Sequence, residues 1–429
     1  MIRMDCDILV VGAGILGLSS AYHLKMLNPD KKVLTIDKLG SPGQGNSAKC
    51  EGGYRNLFSS DVNYLLADST IEFMHYLDGV LGYNFSMDQI GYLFLYSEEQ
   101  FDAQKEALER IERRGSEVRM FEKGELKKMI PGLVTDFVDD DEAGLLGLEP
   151  VDCGVFGVKC GCVDADALVR AYEAEYLRLG GEVLYNVEAE GLMLESEREL
   201  GISGEPFVWQ DSKIGGVRTS RGDIKAGITV VAAGVWSERL LEPVGIDPYM
   251  RPKKRQIFTF KDTKLSHLFK VNGFNSQGTI PLTILPKASI LFRPELREDT
   301  IWLACADDLG RSFGLDDDPQ AEEGYYSNDI YHVLVKYFPC FEGVRPTNMW
   351  AGQYAVNSFD GQPVVTGLDG MIYVGAASGS GIMKCDALGR IVAAKYEGRD
   401  EVELYGGRTF NVADLGIEKR KVESESLII

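Results

Sequence analysis

The sequence predicts an α/β fold that includes a Rossmann-like, dinucleotide-binding domain. Two observations predict it: an apolar strand at 8–11 runs directly into a glycine-rich turn and a helix, and residues 370–398 repeat that order near the other end of the chain. A mainly β stretch at 252–306 lies between them and indicates a further domain. A chain of 429 residues is long enough for two or three domains.

Composition and charge narrow the classes of protein. The chain is 45% hydrophobic and 26% charged, as is ordinary for a globular enzyme. A net charge of −21 argues against a nucleic-acid partner, because phosphates are bound by a basic surface. No apolar run approaches the roughly 18 residues of a membrane span, and the first apolar run lies in the motif-bearing strand rather than in a signal peptide. We therefore expect a cytoplasmic protein without a transmembrane segment, or one held peripherally at a membrane through a partner.

Neither a disulfide framework nor a metal site is expected. Eight cysteines in a chain this long do not resemble a disulfide scaffold. The tightest group, Cys153, Cys160 and Cys162, lacks the paired spacing of a zinc site, and the four histidines are scattered. The cysteines are interpreted as small buried hydrophobic residues.

The first element carries a dinucleotide-binding motif, "DILVVGAGILGL" at 7–18. Gly12 allows the tight turn after the strand, Gly14 lets the backbone approach a pyrophosphate, and Gly17 lets the helix pack close to the strand. The helix N-terminus presents free N–H groups to the phosphates. A second apolar strand ends at Asp37, whose carboxylate can accept hydrogen bonds from a ribose. An acid there disfavours NADP and leaves FAD and NAD as alternatives.

The following segments do not continue the regular strand–helix alternation of an NAD dehydrogenase. Residues 39–55 have little helical or strand character. Helices are predicted at 61–81 and 101–114, with a strand at 91–96 between them. The acidic stretch 120–142 is interpreted as an irregular connection.

A second unit begins near residue 161. Asp164 is a suitable N-cap for a helix that the pair Gly180 and Gly181 ends, and a strand follows. Further strands are predicted at 214–219 and 228–232. The last of these runs into "VVAAGVWS", which brings small residues to the carboxyl edge of a sheet, where a nucleotide would lie.

The β-rich stretch and the C-terminal repeat complete the pattern. Residues 291–294 and 300–304 are predicted to form a hairpin, and 326–337 a helix. Residues 370–398 then form a strand, a turn that carries three glycines, and a helix. The N-terminus of that helix could face another electron-rich group of the same cofactor.

Taken in order, these motifs resemble the D-amino-acid oxidase and sarcosine oxidase family of FAD-dependent oxidoreductases, with the dye-linked L-proline dehydrogenases as the suggested branch. The resemblance covers most of the chain. The carriers are "VVGAGILG", "SAKCEGGYR", "GCVDADALVRA", "VVAAGVWS", "RPE", "AGQYAVNSFDGQPVV" and "VGAASGSGIMKCDALGRIVA".

The resemblance implies a discontinuous FAD domain, a substrate domain on a mixed sheet, and a flavin ring at their junction. The FAD domain would take 1–85, 150–240 and 345–400, the substrate domain 86–149 and 241–344, and a C-terminal tail 401–429. The implied reaction is hydride transfer from the carbon next to an amine nitrogen to flavin N5.

The family's site positions transfer residue by residue. Those expected at the cofactor are Gly12, Gly14, Ile15, Gly17, Asp37, Lys38, Ser47, Gly53, Tyr54, Arg55, Ala233, Gly234, Trp236, Gly352, Gly379, Gly381, Ile382 and Met383. Those expected at the substrate are Arg293, Tyr354, Trp302 and Gly381. Catalytic roles are expected for Arg55, as a cation that stabilises developing negative charge, and for Lys384, which lies one residue after the family's lysine position.

Three departures from the family pattern sharpen the expectation. The first departure concerns the attachment of FAD. Gly352 or Gln353 stands where some members carry a cysteine that binds flavin covalently. Cys50 lies near the place of a histidine used by others, so a thioether is an alternative to the non-covalent FAD that we expect.

The second departure concerns the electron acceptor. Trp302 stands where the oxidase branch carries an oxygen-activating lysine, which favours a dehydrogenase that passes electrons to a quinone, a dye or a partner flavoprotein.

The third departure concerns the substrate. Phe58 occupies a position where the family carries a carboxylate-binding arginine, and Arg293, Arg255 and Lys384 are the available substitutes. An apolar residue there suits a cyclic or N-alkyl amino acid such as L-proline or sarcosine. The alternatives are an oxidase that uses oxygen, a 2-hydroxyacid dehydrogenase of the 2-hydroxyglutarate type, and a flavin-binding subunit of a larger complex; a homo-oligomer is also possible.

The chain ends in "EKRKVESESLII". One interpretation is a frayed end; the other is that Leu427, Ile428 and Ile429 dock into a groove, on a neighbouring molecule or over the substrate entrance.

Overall fold

In a computed structural model that describes residues 4–306 and 311–427, the strands form two large sheets. The first sheet has a parallel centre, because the strand Met4–Val11 pairs in parallel with Val33–Asp37 on one side and Gly222–Val231 on the other. In spatial order its strands are Val364–Leu368, Met371–Gly375, Gly222–Val231, Met4–Val11, Val33–Asp37 and Glu182–Tyr185, with Ala189–Ser196 and Ser212–Thr219 attached beside Gly222–Val231. The carboxyl ends of the central strands meet at one edge, as Rossmann-like topology requires.

The second sheet is mixed. Leu282–Ile284 pairs in parallel with Tyr92–Tyr96, and its other pairs are antiparallel. In spatial order its strands are Asn348–Val356, Arg251–Phe260, Thr300–Cys305, Ile290–Glu295, Leu282–Ile284, Tyr92–Tyr96, Cys153–Gly157 and Val118–Glu122. Two-stranded ribbons add Gly53–Tyr54 with Gly161–Cys162, and Glu401–Leu404 with Arg408–Asn411. A Rossmann-like domain joined to a mixed-sheet domain is the fold that the sequence predicts.

Helices cover the first sheet and flank the second. The α-helices are Ile15–Leu27, Asp61–Gly79, Glu98–Arg113, Lys123–Met129, Asp141–Leu145, Ala165–Arg178, Ser237–Leu241, Tyr331–Tyr337 and Cys385–Tyr396. Shorter turns of helix are Gly234–Trp236, Glu242–Val244, Thr263–Phe269, Tyr325–Ile330, Pro339–Phe341, Ile382–Lys384 and Val412–Leu415.

The N-terminal helix and the last long helix lie against each other in the first core. Ser19 Oγ donates to the carbonyl of Cys385 at 2.7 Å, and Gly389 faces Ser19 so closely that a Cβ would overlap it. His23 lies 2.7 Å from the carboxylate of Asp386, and both side chains are buried. The two glycine-turn units are therefore held in a fixed relation around one core.

Two expectations from the sequence need correction. The stretch 120–142 is not irregular: Val118–Glu122 is a strand and Lys123–Met129 a helix. That strand is specified by pairing with Cys153–Gly157, a contact too distant in sequence for local patterns to show. A capping box between Glu122 and Glu125 then starts the helix.

The sheets also divide the chain at other points than the expected domain boundaries. Cys153–Gly157 and Asn348–Val356 belong to the second sheet, although 150–240 and 345–400 were expected to lie wholly in the FAD domain. Both strands follow segments that already pack in the second core, such as Leu126 and Val344, so the chain crosses to the first sheet only after them. The hairpin of Ile290–Glu295 with Thr300–Cys305 is confirmed.

No helix among residues 4–306 and 311–427 is long and apolar enough to cross a membrane. Within the same residues, no group of three or more His, Cys, Asp or Glu side chains is arranged to hold a metal ion.

Candidate active site

A groove of about 270 Å³ follows the carboxyl edge of the first sheet. It begins at the turn after Met4–Val11, where Gly12 has a φ of +110° that favours glycine. A Cβ on Gly17 would overlap the carbonyl oxygen of Gly12, so the helix can lie this close to the strand only with glycine there. The motif thus has the close strand–helix packing that its spacing predicts.

The helix N-terminus at this turn is open toward the groove. Ser47 Oγ accepts a hydrogen bond from the backbone N–H of Ile15 at 3.1 Å, which places the serine at the first helical residue. Asp37 Oδ2 accepts from the N–H of Ala13 at 2.7 Å, and Oδ1 accepts from Leu39 at 2.8 Å. Burial raises the pKa of Asp37, and these two backbone bonds oppose that shift. The acid therefore braces the turn as well as lining the groove.

The outer end of the groove carries an aromatic wall. Lys38 Nζ lies 4.2 Å from the ring centroid of Trp236, and Trp236 Nε1 donates to Asp317 Oδ1 at 2.8 Å. A flat indole fixed in this way offers a surface for the adenosine end of a dinucleotide.

A second glycine turn, after Met371–Gly375, lies at the inner end. Ala376 and Ser378 have φ of 55° and 46°, and Gly379 has φ of +82°. A Cβ on Gly379 would overlap the ring of Tyr354, so the turn passes directly over that ring. Non-glycine residues held at positive φ are strained and concentrate at ligand sites.

Most of the predicted cofactor residues meet in this groove. Those lining it are Gly12, Gly14, Ile15, Asp37, Lys38, Ser47, Ala233, Gly234, Trp236, Gly352, Gly379, Gly381 and Ile382, together with Tyr354 from the substrate set. Gly17 acts in helix packing behind the groove. Tyr54 is fully buried in the ribbon with Gly161–Cys162 and lines neither the groove nor the cavity described next.

A cavity of about 810 Å³ adjoins the inner end of the groove, between the two sheets. Residues shared by both spaces are Cys50, Glu51, Arg255, Leu291, Ala306, Tyr354, Ser378, Gly379 and Ile382. The cavity also receives Gly53, Arg55, Met383 and Lys384 from the predicted set, and Phe58. A dinucleotide with its phosphates at Gly12 would therefore extend its far end toward this junction.

Arg55 and Lys384 are buried cations in the wall of the cavity. Arg55 lies over the ring of Phe58 at 4.3 Å and donates to the carbonyl of Leu57 at 2.8 Å. Lys384 Nζ lies 5.0 Å from the same ring and donates to Asn63 Oδ1 at 2.5 Å. Burial, with the nearby charge of Arg55, lowers the pKa of Lys384 to about 7.

The end of the chain forms another part of the wall. Glu425 lines the cavity, and its carboxylate accepts hydrogen bonds from the backbone N–H groups of Ser59 and Ser60 at 2.7 and 3.2 Å. It also accepts from Asn63 Nδ2 at 3.0 Å, so Asn63 joins Glu425 to Lys384. Leu427 is 1% exposed and packs in a buried apolar cluster, so it is not frayed; Ile428 and Ile429 lie outside the described residues, and docking over the substrate entrance stays a prediction.

The structure places Arg293 and Trp302 outside both spaces. Arg293 is 2% exposed, donates to the backbone of Glu51 at 3.1 Å and forms a 3.0 Å ion pair with Glu295. Its guanidinium lies 4.2 Å from the ring of Trp302, which is its cross-strand partner. Trp302 in turn contacts Trp350 edge to face. Both predicted substrate residues thus support the cavity from behind.

Among the polar residues of the cavity that sequence reasoning missed are Glu51, Asn63 and Glu425. Glu51 was visible, since it precedes Gly52 and Gly53 in an otherwise distinctive loop. Glu425 gave no local signal, because its partners lie more than 360 positions away.

Comparisons with known proteins agree with this geometry. The family model described as FAD dependent oxidoreductase (DAO) matches residues 7–395. The chain is 24% identical over 444 residues to FAD-dependent oxidoreductase domain-containing protein 1 of Xenopus laevis, covering 96% of this chain and 82% of that protein. It is 28% identical over 231 residues to sarcosine oxidase subunit beta of Rhodobacter capsulatus, covering 53% of this chain and 50% of that protein.

A solved structure extends the likeness to the whole fold. The L-proline dehydrogenase from P. horikoshii superposes with a TM-score of 0.74 at 21% identity, covering 94% of this chain and 96% of that chain.

The groove and the cavity together fit FAD. The two glycine turns leave room for backbone to approach phosphates, and the N-terminus of Ile15–Leu27 opens toward them. At the inner end, Glu51 Oε1 is buried without a hydrogen-bond partner among the described residues, which is the mark of a site that a polar group completes.

Proposed function

We propose that this chain, which belongs to the FAD dependent oxidoreductase family, is a dehydrogenase that oxidises the C–N bond of a small secondary amino acid of the L-proline or sarcosine type. Its electrons would pass to a quinone or dye-like acceptor. The cofactor is FAD, and we propose that it is held without a covalent bond.

One observation carries the substrate proposal: the inner cavity combines buried cations with an apolar surface. Arg55 and Lys384 offer positive charge to a carboxylate, which is costly to bury without such a partner. Phe58, Tyr92 and Met383 supply apolar surface for a ring or an N-alkyl group. A small amino acid without a polar side chain matches both surfaces.

Two of the similar proteins support the same class of substrate. Sarcosine and L-proline, after which these two proteins are named, are both secondary amino acids. A 2-hydroxyacid would satisfy the cations equally well, so it is an outcome that the substrate screen must distinguish.

The mechanism assigns the chemistry and the positioning to different groups. FAD, held by the groove from Gly12 to Gly379, would supply the acceptor for the electron pair that leaves the substrate carbon as hydride. Lys384 binds the substrate carboxylate through its protonated ammonium group, since an approaching carboxylate favours the charged form of the Lys384 side chain. The Lys384 side chain is held in place by Asn63, whose Oδ1 accepts a hydrogen bond from Lys384 Nζ at 2.5 Å, and Asn63 in turn donates to Glu425.

The end of the chain is fastened beside the cavity. Leu427 fills a buried apolar cluster with Leu57 and Tyr92, and Glu425 ties the chain end to the loop that carries Arg55. These contacts hold in place the part of the wall that contains Arg55 and Glu425.

The acceptor proposal rests on Trp302. The resemblance implies an oxygen-activating lysine at this position, whereas this chain has an indole in the strand Thr300–Cys305 that lines neither the groove nor the cavity. Its neighbours are Trp350 and the already paired guanidinium of Arg293, so this position supplies no mobile cation.

Non-covalent attachment is supported by the state of Cys50. Burial raises the pKa of this thiol to about 11, and the thiolate is the reactive form. Release of all yellow colour into the supernatant after acid or heat precipitation is the expected result; colour retained in the pellet would contradict it.

The decisive experiment is a screen of substrates and acceptors on the FAD-loaded protein. L-proline, sarcosine, D-amino acids and 2-hydroxyglutarate are each tested anaerobically for bleaching of the bound cofactor, and then for turnover with oxygen or an artificial dye. We expect bleaching by a secondary amino acid and turnover with the dye far above that with oxygen. Bleaching by 2-hydroxyglutarate alone, or turnover with oxygen equal to that with the dye, would refute the respective part of the proposal.

A further inference from the structure

Glu51 is an acid placed where the groove and the cavity meet. It is the only carboxyl group among the described residues that lines both spaces. Its position is set by a backbone bond, since Arg293 donates to the Glu51 carbonyl rather than to the carboxyl. The glycines Gly52 and Gly53 follow it, and a Cβ on Gly52 would overlap the carbonyl oxygen of Val163. The loop therefore holds Glu51 rigidly at the junction.

One oxygen of the carboxyl group has no hydrogen-bond partner among the described residues. Oε1 is buried without a hydrogen bond among residues 4–306 and 311–427. The ionisable side chains whose charges act on it, or which line the same junction, are Cys50, Tyr92, Cys162, Arg255, Arg293 and Tyr354.

Most of these neighbours keep one charge state near neutral pH. Burial raises the pKa of Cys50 to about 11 and those of Cys162 and Tyr354 to about 12, so all three stay protonated. Arg293 stays charged but is already paired with Glu295 at 3.0 Å. Burial raises the pKa of Glu51 to about 7, against the opposing charge of Arg293. Its protonation can therefore respond to a small change of charge at the junction.

Reduction of the cofactor is such a change. Two added electrons at the end of the groove repel a nearby negative charge, which raises the free energy of an ionised carboxylate there and favours its protonated form. We propose that Glu51 is the proton-exchanging group of the cofactor site: its carboxylate takes up one proton when bound FAD is reduced and releases it when FAD is reoxidised. The sequence resemblance assigns no role to this position.

In the proposed function, the proton that Glu51 takes up comes from the substrate amine, so this assignment of its source rests on that function. Oxidation of a secondary amine to an imine removes two electrons and two protons. One proton leaves with the electron pair as hydride, which bound FAD accepts. The other is the N–H proton, which ends on Glu51. When the later acceptor removes the electron pair, the proton that arrived with the hydride leaves as well, and Glu51 returns its own proton to solvent, so two electrons and two protons are accounted for.

The test is an anaerobic redox titration of the FAD-loaded protein with dithionite and mediator dyes, from about pH 5 to about pH 9. The slope of midpoint potential against pH gives the protons taken up per two electrons. Below about pH 7 Glu51 is protonated in both redox states, so the wild type and Glu51→Gln agree. Above about pH 7, we expect the wild type to take up as much as one proton more per two electrons than Glu51→Gln. Glu51→Asp should take up this additional proton as the wild type does.

Asp88→Asn is the matched control. The pKa of Asp88 is likewise raised by burial and its carboxyl feels the charge of Arg293, but it lines neither space. The variant should keep the wild-type proton count. Equal counts in Glu51→Gln and the wild type, or the same loss in Asp88→Asn, would overturn the proposal.

Two complications are covered by this design. If Glu51→Gln does not retain FAD, Glu51→Asp decides. The break in the plot of midpoint potential against pH should then move, because the exchanging carboxyl group has a different side chain; a break at the wild-type pH would overturn the proposal. Dithionite supplies the electrons, so the absence of any amine turnover would refute the proposed function without affecting this result.

Discussion

Arg55 Nη2 donates a hydrogen bond to the backbone carbonyl of Leu427, 2.8 Å away and 372 positions later in the chain. The same guanidinium lines the cavity and lies over Phe58. The residue expected to face the cofactor is thus also the residue that fastens the end of the chain. Loss of the terminal segment, residues 423–427, should therefore lower the stability of the protein and weaken substrate binding.

Leu427→Ala should destabilise the protein and raise the Michaelis constant. The side chain is 1% exposed among Leu57, Ile90 and Leu108, and removing a buried leucine side chain costs about 2–5 kcal/mol. Thermal unfolding and steady-state kinetics with the substrate found in the screen measure both effects. Leu200→Ala, at a leucine that is 47% exposed, is the control and should change neither. If the two variants behave alike, the terminal segment does not close the cavity.

Glu425→Gln should lower stability at neutral pH, and the loss should vanish in acid. Burial acts to raise the pKa of Glu425, but hydrogen bonds from Ser59 and Asn63 outweigh it and hold the pKa below its usual value. A carboxyl with a lowered pKa stabilises the fold above its unfolded-state pKa of about 4.3, and the contribution is lost as the pH falls through the folded-state value. Unfolding midpoints from pH 7 downward should therefore converge for the two proteins. A constant gap at every pH would show that the charge of Glu425 does not contribute.

These contacts also show what the sequence could and could not predict. The turn at Gly12, the acid at Asp37 and the second turn at Gly379 could be predicted, because a strand that runs into a glycine turn and a helix, with an acid after the next strand, is a recurring pattern along the sequence. The pairing of Glu425 with Ser59 is set by tertiary packing and leaves no periodic signal. Arg293 shows the reverse error: its residue type suited a carboxylate, but the carboxylate that it meets is Glu295 of its own strand.

Gly14→Ala and Gly17→Ala should fail in different ways. A Cβ on Gly14 would lie 3.2 Å from Ser47 Oγ, a side chain that can shift, whereas one on Gly17 would overlap the backbone oxygen of Gly12. We expect Gly14→Ala to fold and lose at least about tenfold in FAD affinity, and Gly17→Ala to be poorly folded. Cofactor titration of the apoprotein by fluorescence and circular dichroism separate the two outcomes. Gly124→Ala, where a Cβ meets open space, is the control; wild-type FAD affinity in Gly14→Ala would refute the close approach of phosphate at this turn.

Binding of a substrate-like carboxylate should weaken as the pH rises through the pKa of Lys384. That pKa is lowered to about 7 by burial and by the charge of Arg55, so the amine is charged below pH 7 and neutral above it. If the anion binds the charged form, its dissociation constant rises above pH 7 by up to about tenfold per pH unit. An oxygen-ring analogue of proline, which has no N–H to oxidise and no second titrating group, isolates this effect in a spectral titration of bound FAD.

Lys384→Met should bind that analogue weakly and with no break near pH 7. Lys419→Met, at an exposed lysine far along the tail, should keep the wild-type profile. Because the analogue is not turned over, the outcome does not depend on which acceptor the enzyme uses. A wild-type dissociation constant that stays flat from pH 6 to pH 9 would assign carboxylate binding to a cation other than Lys384, with Arg55 the next candidate in the same wall. A break retained in Lys384→Met would assign the pH dependence to Glu51, which lines the same cavity and whose pKa burial raises to about 7.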